Sequence, residues 1–299
     1  MFQKTIIITG PTASGKSDLA IELAKTYHGE IISADSRQVY RGMDIGSGKV
    51  TKREQKLAKH HLLDVANPNE NYNITHFLRD AKKATLDIKK RGKVPIVCGG
   101  TGFWIQAFIE ETSFPKVEPN KELREKLALI STEKLFQMLK QKDSVRAETI
   151  DRKNKVRLIR ALEIIEALGS VPELPSLLPE KTKKFLIIAL TPSYEILREN
   201  IKIRLQKRLK KGMISEVKKL HADGLSYKKL EAFGLEYRYV SLYLQKKLPR
   251  EKMEEELFYE ICHYAKRQLT WLRRMEALGA DIHWITDPKE AFLLVSKEA

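Results

Sequence analysis

The sequence predicts an α/β fold, a P-loop NTPase-like core with a parallel sheet, interrupted by an all-helical insertion. Three observations predict it. Short β-branched runs alternate with amphipathic stretches before residue 116. The run Gly10-Pro11-Thr12-Ala13-Ser14-Gly15-Lys16-Ser17 joins the first of these strands to the first helix. After residue 116 strand candidates cease, until an apolar run returns at 185–190.

In chain order, 5–9 is a buried strand closed by Gly10-Pro11, and 17–27 carries helical spacing at Leu19, Ala20, Leu23 and Ala24. Residues 30–33 read as a second strand, 75–91 as an amphipathic helix, 93–98 as a strand ending at Gly99-Gly100, and 103–109 as helix. The pattern changes near 114–119, and 121–168 is helical. Residues 169–179, with Pro172, Pro175 and Pro179, read as a loop. The strand at 185–190 resumes the sheet, and 194–274 is almost all helix. The domains expected are therefore 1–115 with 185–299 as the core, and 116–184 as the insertion.

The chain has 299 residues, 42% of them apolar and 31% charged, enough to bury a core without a disulfide or metal staple. Its net charge of +16 favours a polyanionic partner such as nucleic acid, or phosphorylated small molecules; an ordinary Lys-rich surface is the plainer alternative. The excess is spread along the whole chain, so an anionic partner would touch several parts of it. Two distant cysteines, Cys98 and Cys262, exclude a disulfide framework and a cysteine zinc site, and fit a reducing cytoplasm. No apolar run reaches the ~18–20 residues of a membrane span, and the N-terminus does not read as a signal peptide.

Residues 10–17 fit G-x-x-x-x-G-K-[ST] between a strand and a helix. The glycines let backbone N–H groups turn inward around phosphate oxygens, and the helix start adds its positive dipole end. Lys16 supplies a point charge, and the Ser17 hydroxyl is placed to bind Mg²⁺. ATP or GTP is the usual ligand of such a loop, but the motif itself names no particular phosphate compound. The acidic partner expected of a nucleotide hydrolase on a later strand is missing, since 94–98 runs into Gly99-Gly100-Thr101-Gly102. Asp35 and Thr101 stand instead at strand ends, the edge where ligands sit in open α/β sheets. Adjacent His60 and His61 point apart on either a strand or a helix and make a poor metal pair, so a structural or RNA-facing role is expected.

Six strings together resemble one family. After the phosphate loop come Ser33-Ala34-Asp35-Ser36-Arg37-Gln38-Val39-Tyr40 and its continuation to Gly46, then His60-His61-Leu62-Leu63-Asp64 and Gly99-Gly100-Thr101-Gly102. Arg157-Leu158-Ile159-Arg160-Ala161-Leu162-Glu163 and Tyr264-Ala265-Lys266-Arg267-Gln268-Leu269-Thr270-Trp271 complete the series. In this order, over about 5–275, the chain resembles the tRNA dimethylallyltransferases, the adenosine-37 isopentenyltransferases. The resemblance implies transfer of a dimethylallyl group from dimethylallyl diphosphate to N6 of that adenosine, beside the anticodon. It also implies that the helical insertion grips the anticodon stem-loop.

The resemblance implies that the loop, Gly10 to Ser17, holds a diphosphate leaving group, with Arg204 approaching it. Asp35 is the candidate general base, orienting a poorly nucleophilic amino group and taking its proton; a helix cap or an indirect Mg²⁺ contact is the alternative. Lys16 and Thr101 join Asp35 as candidate catalytic residues. The family's contacts to RNA carry over onto Asp35, Ser36, Arg37, Gln38 and Thr101, onto Arg124, and onto Val156, Arg157, Leu158, Ile159 and Arg160. Many relatives have Gln where this chain has Val156. Lys266 and Arg267 lie in a basic cluster interleaved with Tyr264 and Trp271, which suits phosphate-backbone contact, although Trp271 reads better as core. The family's Ile-Gly-Tyr-basic string is here Phe233-Gly234-Leu235-Glu236, which shifts candidate contacts to Tyr237 or Arg238. A monomer is expected. Competing readings are a phosphate-loop kinase or nucleotide hydrolase, a prenyltransferase of free adenine nucleotides, and a non-catalytic RNA-binding module.

Overall fold

The computed structural model describes residues 4–173 and 179–298. They divide into two compact units, Met1–Glu111 with Ser176–Ala299, and Thr112–Pro175. Of the loop expected over 169–179, residues 174–178 lie outside the described residues.

The first unit is built on a six-stranded parallel sheet, in the order β3-β2-β4-β1-β5-β6. The strands are β1 (Thr5–Thr9), β2 (Gly29–Ser33), β3 (His60–His61), β4 (Val94–Cys98), β5 (Phe185–Leu190) and β6 (Ile282–Ile285). Both faces are covered, which is why the central strands are apolar throughout instead of alternating. Ile7, Ile32, Val97 and Ile187 point to one face, while Ile6, Ile31, Ile96 and Ile188 point to the other. Burying each such side chain contributes roughly 1.5–3 kcal/mol. Two strands escaped the sequence reading. β3 has only two residues, too short to show a period, and β6 is an edge strand with the mixed sequence Ile-His-Trp-Ile.

Helices α1 (Lys16–Thr26) and, at the C-terminus, α15 (Pro288–Ser296) cover one face through Leu19, Leu23, Ala291 and Val295. The short α2 (Lys52–Gln55) follows β2 and is closed by a capping box, Thr51 with Glu54. The other face carries α3 (Ile74–Lys90) and α4 (Gly102–Ile109), with Phe77 stacked on Trp104 at 4.5 Å.

The second unit holds α5 (Lys121–Ala128), α6 (Thr132–Lys142), α7 (Ser144–Thr149) and α8 (Lys155–Leu168). Four polar N-caps start them: Asn120, Ser131, Asp143 and Asn154 each accept a backbone N–H of the first turn. Their apolar faces meet in a small core around Leu135, Leu139, Leu158 and Leu162. Ahead of β5 the first unit holds α9 (Pro179–Thr182), a single turn that starts at the last residue of the expected loop and lies within the stretch expected as insertion.

After β5 the first unit continues with α10 (Tyr194–Lys210), α11 (Met213–Ala222), α12 (Tyr227–Ala232), α13 (Leu235–Leu244) and the long α14 (Arg250–Ala277). They complete the core on the α3 and α4 face, through Leu197, Val217, Val240 and Leu257 among others. Register sets the functional edge. Ile8 and Ser33 are both opposite Cys98, so β1, β4 and β2 end level and their loops leave together. Gly99 is required there, because a Cβ would strike the Ala34 carbonyl.

Candidate functional site

The loop after β1 turns through Gly10 (φ +141°), Ala13 (φ 64°) and Gly15 (φ 93°). A Cβ on Gly10 would collide with the Leu190 carbonyl, so the tight exit from the sheet needs glycine. α1 starts immediately after, and its first N–H groups are left for a ligand. Lys16 folds back over the loop, with Nζ donating to the Pro11 carbonyl at 3.0 Å. Burial lowers its pKa to about 8; Arg204 and Arg208 push the same way, against Cys98 and Asp35. Ser14 Oγ is buried without a hydrogen-bond partner among the described residues.

Helix α10 brings a second cation to the loop. Arg204 Nη1 donates to Thr12 Oγ1 at 3.2 Å. Burial and neighbouring Arg208 bring the Arg204 pKa down to about 10. Arg208 itself is buried and paired to Glu236 at 2.8 Å, with Nη2 lacking a partner among the described residues. Cationic groups crowded this way oppose one another until an anion arrives.

The loop after β2 supplies the acidic side. Asp35 Oδ1 accepts the backbone N–H groups of Arg37 at 2.8 Å and Gln38 at 3.3 Å, holding a tight turn at the strand end. The Ser36 N–H donates to Thr101 Oγ1 at 3.3 Å, which ties this turn to the end of β4. Gln38 is buried, and its side chain donates to the Gly48 carbonyl at 3.4 Å. Tyr264, on α14, lies on the same wall with part of its surface open to solvent; desolvation inside the cleft and the Asp35 charge push its phenol up to about 12. The loops after β1, β2 and β4 line one cleft of about 700 Å³ with Arg204, Tyr264 and Gln268.

Four supporting residues have no local sequence signal. Glu216 on α11 accepts the N–H groups of Asp44 (2.8 Å), Ile45 (2.7 Å) and Gly46 (2.9 Å), so one carboxylate shapes a wall of the cleft. Tyr237 donates to Glu216 at 3.0 Å and accepts from Ser47 N–H at 3.1 Å. Tyr237 is buried, which corrects the expectation that it offers an RNA contact. Lys49, also buried, joins Asp44 (2.6 Å), Asp64 (2.5 Å) and the Tyr40 carbonyl (2.7 Å). Arg208 is the fourth. For Glu216, Tyr237 and Arg208 the helical period gave a face only, and their partners come from other segments; Lys49 lies in a loop and pairs within its own neighbourhood.

The expected RNA-binding residues separate into distinct environments. Val156 and Arg157 are exposed on α8. Leu158 is fully buried in the core of the second unit and Ile159 packs against that core, so Leu158 offers RNA no surface. Arg124 reaches Glu163 through two hydrogen bonds, at 2.7 and 2.8 Å, and Arg160 pairs with the same carboxylate and with the Val117 carbonyl. Arg157 and Arg160 are three residues apart, yet only Arg157 is exposed. In the first unit, Lys266 and Arg267 are exposed, Lys266 Nζ 4.8 Å from the Tyr194 ring centre and Arg267 beside Tyr264. Trp271 packs on Gly102 and edge-on against Phe103. His61 bonds buried Glu30 at 2.7 Å and His60 the Ala58 carbonyl at 2.8 Å. No cluster of three His, Cys, Asp or Glu fit for a metal occurs among the described residues.

A parallel sheet with a phosphate loop at its carboxyl edge, carrying a helical insertion, defines a phosphate-loop α/β protein. The chain belongs to the IPP transferase family, whose model matches residues 38–275. It is 43% identical over 284 residues to tRNA dimethylallyltransferase 2 of Treponema denticola, covering 94% of this chain and 95% of that one. It is also 43% identical to tRNA dimethylallyltransferase 1 of Geotalea uraniireducens over 94% of this chain and 91% of the other. The crystal structure of the full-length tRNA isopentenylpyrophosphate transferase of Bacillus halodurans superimposes with a TM-score of 0.73 at 31% identity, covering 99% and 96% of the two chains.

Proposed function

We propose that this protein transfers the dimethylallyl group of dimethylallyl diphosphate to N6 of adenosine 37 in tRNA, releasing diphosphate. One observation carries the proposal beyond the family membership. The phosphate loop with Arg204 and the turn holding Asp35, tied to Thr101, face the same cleft. The allylic C1–O bond breaks with its electron pair leaving on diphosphate, C1 bonds to N6, and the N6 proton passes to the Asp35 carboxylate. Lys16, the loop amides and Arg204 stabilise charge on the departing diphosphate. Asp35 Oδ1 is already committed to two backbone amides, so Oδ2 is the atom left to face the amino group.

Mg²⁺ fits the donor set. It takes one or two protein oxygens and completes its shell with phosphate and water, and the Ser17 hydroxyl on the cleft wall supplies such an oxygen. When bound, the ion would neutralise developing charge on the diphosphate.

The anticodon-loop base reaches Asp35 by leaving its stack, at a cost of a few kcal/mol that is smallest for an unpaired nucleotide. Exposed Arg157 and Val156 of the insertion, and Lys266 and Arg267 beside the cleft, are the proposed contacts to the anticodon stem-loop. Arg124 and Arg160 act by shaping the insertion through Glu163. The proposed active species is a monomer that works in the cytoplasm, in keeping with two free, buried cysteines. Among the described residues no helix is long and apolar enough to cross a membrane.

The test combines purified protein, Mg²⁺ and dimethylallyl diphosphate with unmodified tRNA or with AMP, followed by nucleoside mass analysis. Prenylated adenosine from tRNA alone is the expected result. Product from AMP alone, or ATP hydrolysis without prenyl transfer, overturns the proposal.

A further inference from the structure

Gln268 breaks the apolar stripe that Ile261, Ala265 and Leu272 draw along the inner face of α14. A buried carboxamide among apolar neighbours is costly unless its polar atoms are engaged. Here both ends are. Gln268 Oε1 accepts the Thr12 N–H at 2.8 Å, and Gln268 Nε2 donates to the Gly100 carbonyl at 2.7 Å. One side chain therefore joins the phosphate loop to the residue before Thr101, across the carboxyl edge of the sheet.

Close packing at two glycines makes room for it. A Cβ on Gly100 would strike Gln268 Nε2, and a Cβ on Gly102 would come within 2.5 Å of Trp271 Cδ1. The two glycines let α14 lie directly on the start of α4, and so place the carboxamide between the two loops. The connections continue on both sides. Thr12, held through its N–H by Gln268, receives Arg204 on its hydroxyl. Thr101, next to the tethered Gly100, accepts the Ser36 N–H beside Asp35.

We propose that Gln268 is a positioning residue that sets the separation between the leaving-group cradle and the Thr101–Asp35 side of the cleft. Both ends of its carboxamide are engaged by backbone, so it acts through Thr12 and Gly100. The inference rests on the site reading above. In a displacement, the electrophilic carbon must lie between nucleophile and leaving group, and a misplacement of about 1 Å can cost on the order of 100-fold in rate. A tether fixed at both walls is a device for holding that spacing.

The test compares Gln268→Ala and Gln268→Glu with the parent enzyme, measuring kcat, KM for dimethylallyl diphosphate, tRNA affinity and thermal unfolding. Gln268→Ala is expected to lower kcat by roughly 10–100-fold while tRNA affinity stays unchanged. Gln268→Glu keeps the acceptor for Thr12 N–H but, when ionised, cannot donate to Gly100. At neutral pH the ionised variant therefore keeps one tie and loses the other, and it should lower kcat by roughly 10-fold with tRNA affinity unchanged, a split that a purely structural defect lacks. If Gln268→Ala does not fold, this split in Gln268→Glu decides. A kcat within about twofold of the parent for either folded variant, or equal losses in kcat and tRNA affinity, overturns the proposal. Asp35→Asn and Lys16→Ala are run in parallel. If they stay active, the site reading itself fails; if they are crippled while Gln268→Ala is not, only the positioning role fails.

Discussion

Arg204 Nη1 lies 3.2 Å from Thr12 Oγ1, so a residue midway along α10 bonds the phosphate loop directly. The two residues are 192 apart in sequence. The guanidinium is buried against another cation, Arg208, with no carboxylate of its own among the described residues, an arrangement that an incoming diphosphate relieves.

Replacing that guanidinium should therefore weaken diphosphate handling first. Arg204→Ala is expected to raise KM for dimethylallyl diphosphate by roughly 10–100-fold, and Arg204→Lys to recover only part, because an ammonium lacks the planar fork. Steady-state kinetics at saturating tRNA provide the check. An unchanged KM would place the diphosphate elsewhere.

The cleft also predicts a pH dependence. Lys16, at about 8 when folded, loses its proton as pH rises through that value, and with it a charge that a diphosphate needs. KM for the diphosphate should climb by up to roughly tenfold per pH unit above 8, and diphosphate binding at pH 8.5 should take up protons. Calorimetric titration in two buffers of different ionisation heat reads the uptake directly. The sign for stability is opposite. Between about 8 and the ordinary 10.5 the unfolded chain holds the extra proton, so the contribution of Lys16 to stability becomes more favourable as pH rises through that window.

Asp35→Asn separates the two jobs of this side chain. The amide oxygen can still accept from Arg37 and Gln38 N–H, so the turn survives, while proton acceptance is lost. The expected outcome is a fall in kcat of about 10²–10⁴ with tRNA affinity unchanged. Equal losses in rate and affinity, measured by single-turnover kinetics and filter binding, would reject the role of general base.

In the insertion, Glu163 is the residue on which α5 and α8 depend. Burial alone would raise its pKa, but hydrogen bonds from Arg124, Arg160 and the Asn120 N–H bring it down to about 2. Its contribution is present above the ordinary 4.5 and lost as pH falls toward 2. Glu163→Gln leaves both arginines without their counter-charge and should cost about 2–3 kcal/mol locally. Hydrogen exchange across 121–128 and 155–168 in the full chain should accelerate accordingly. Unaltered protection there would assign the two arginines to RNA contact in place of scaffolding.

What the sequence determined by itself was local. The phosphate loop is eight adjacent residues, and strands β1, β4 and β5 are apolar runs of five or six that declare themselves. Strand ends at Asp35 and Thr101 followed from those runs, but that the ends lie level and are joined was settled by the sheet's register. The tertiary structure decided everything that depends on which helix face meets which neighbour. It turned Leu158 into core while leaving Val156 and Arg157 outside, and bound Arg124 and Arg160 to Glu163. It also carried Arg204, Glu216 and Gln268 to loops that precede them by more than 160 residues. The reason is physical: a 3.6-residue period assigns side chains to faces, but a polar group on a buried face takes its partner from whatever backbone the packed chain brings within hydrogen-bond reach.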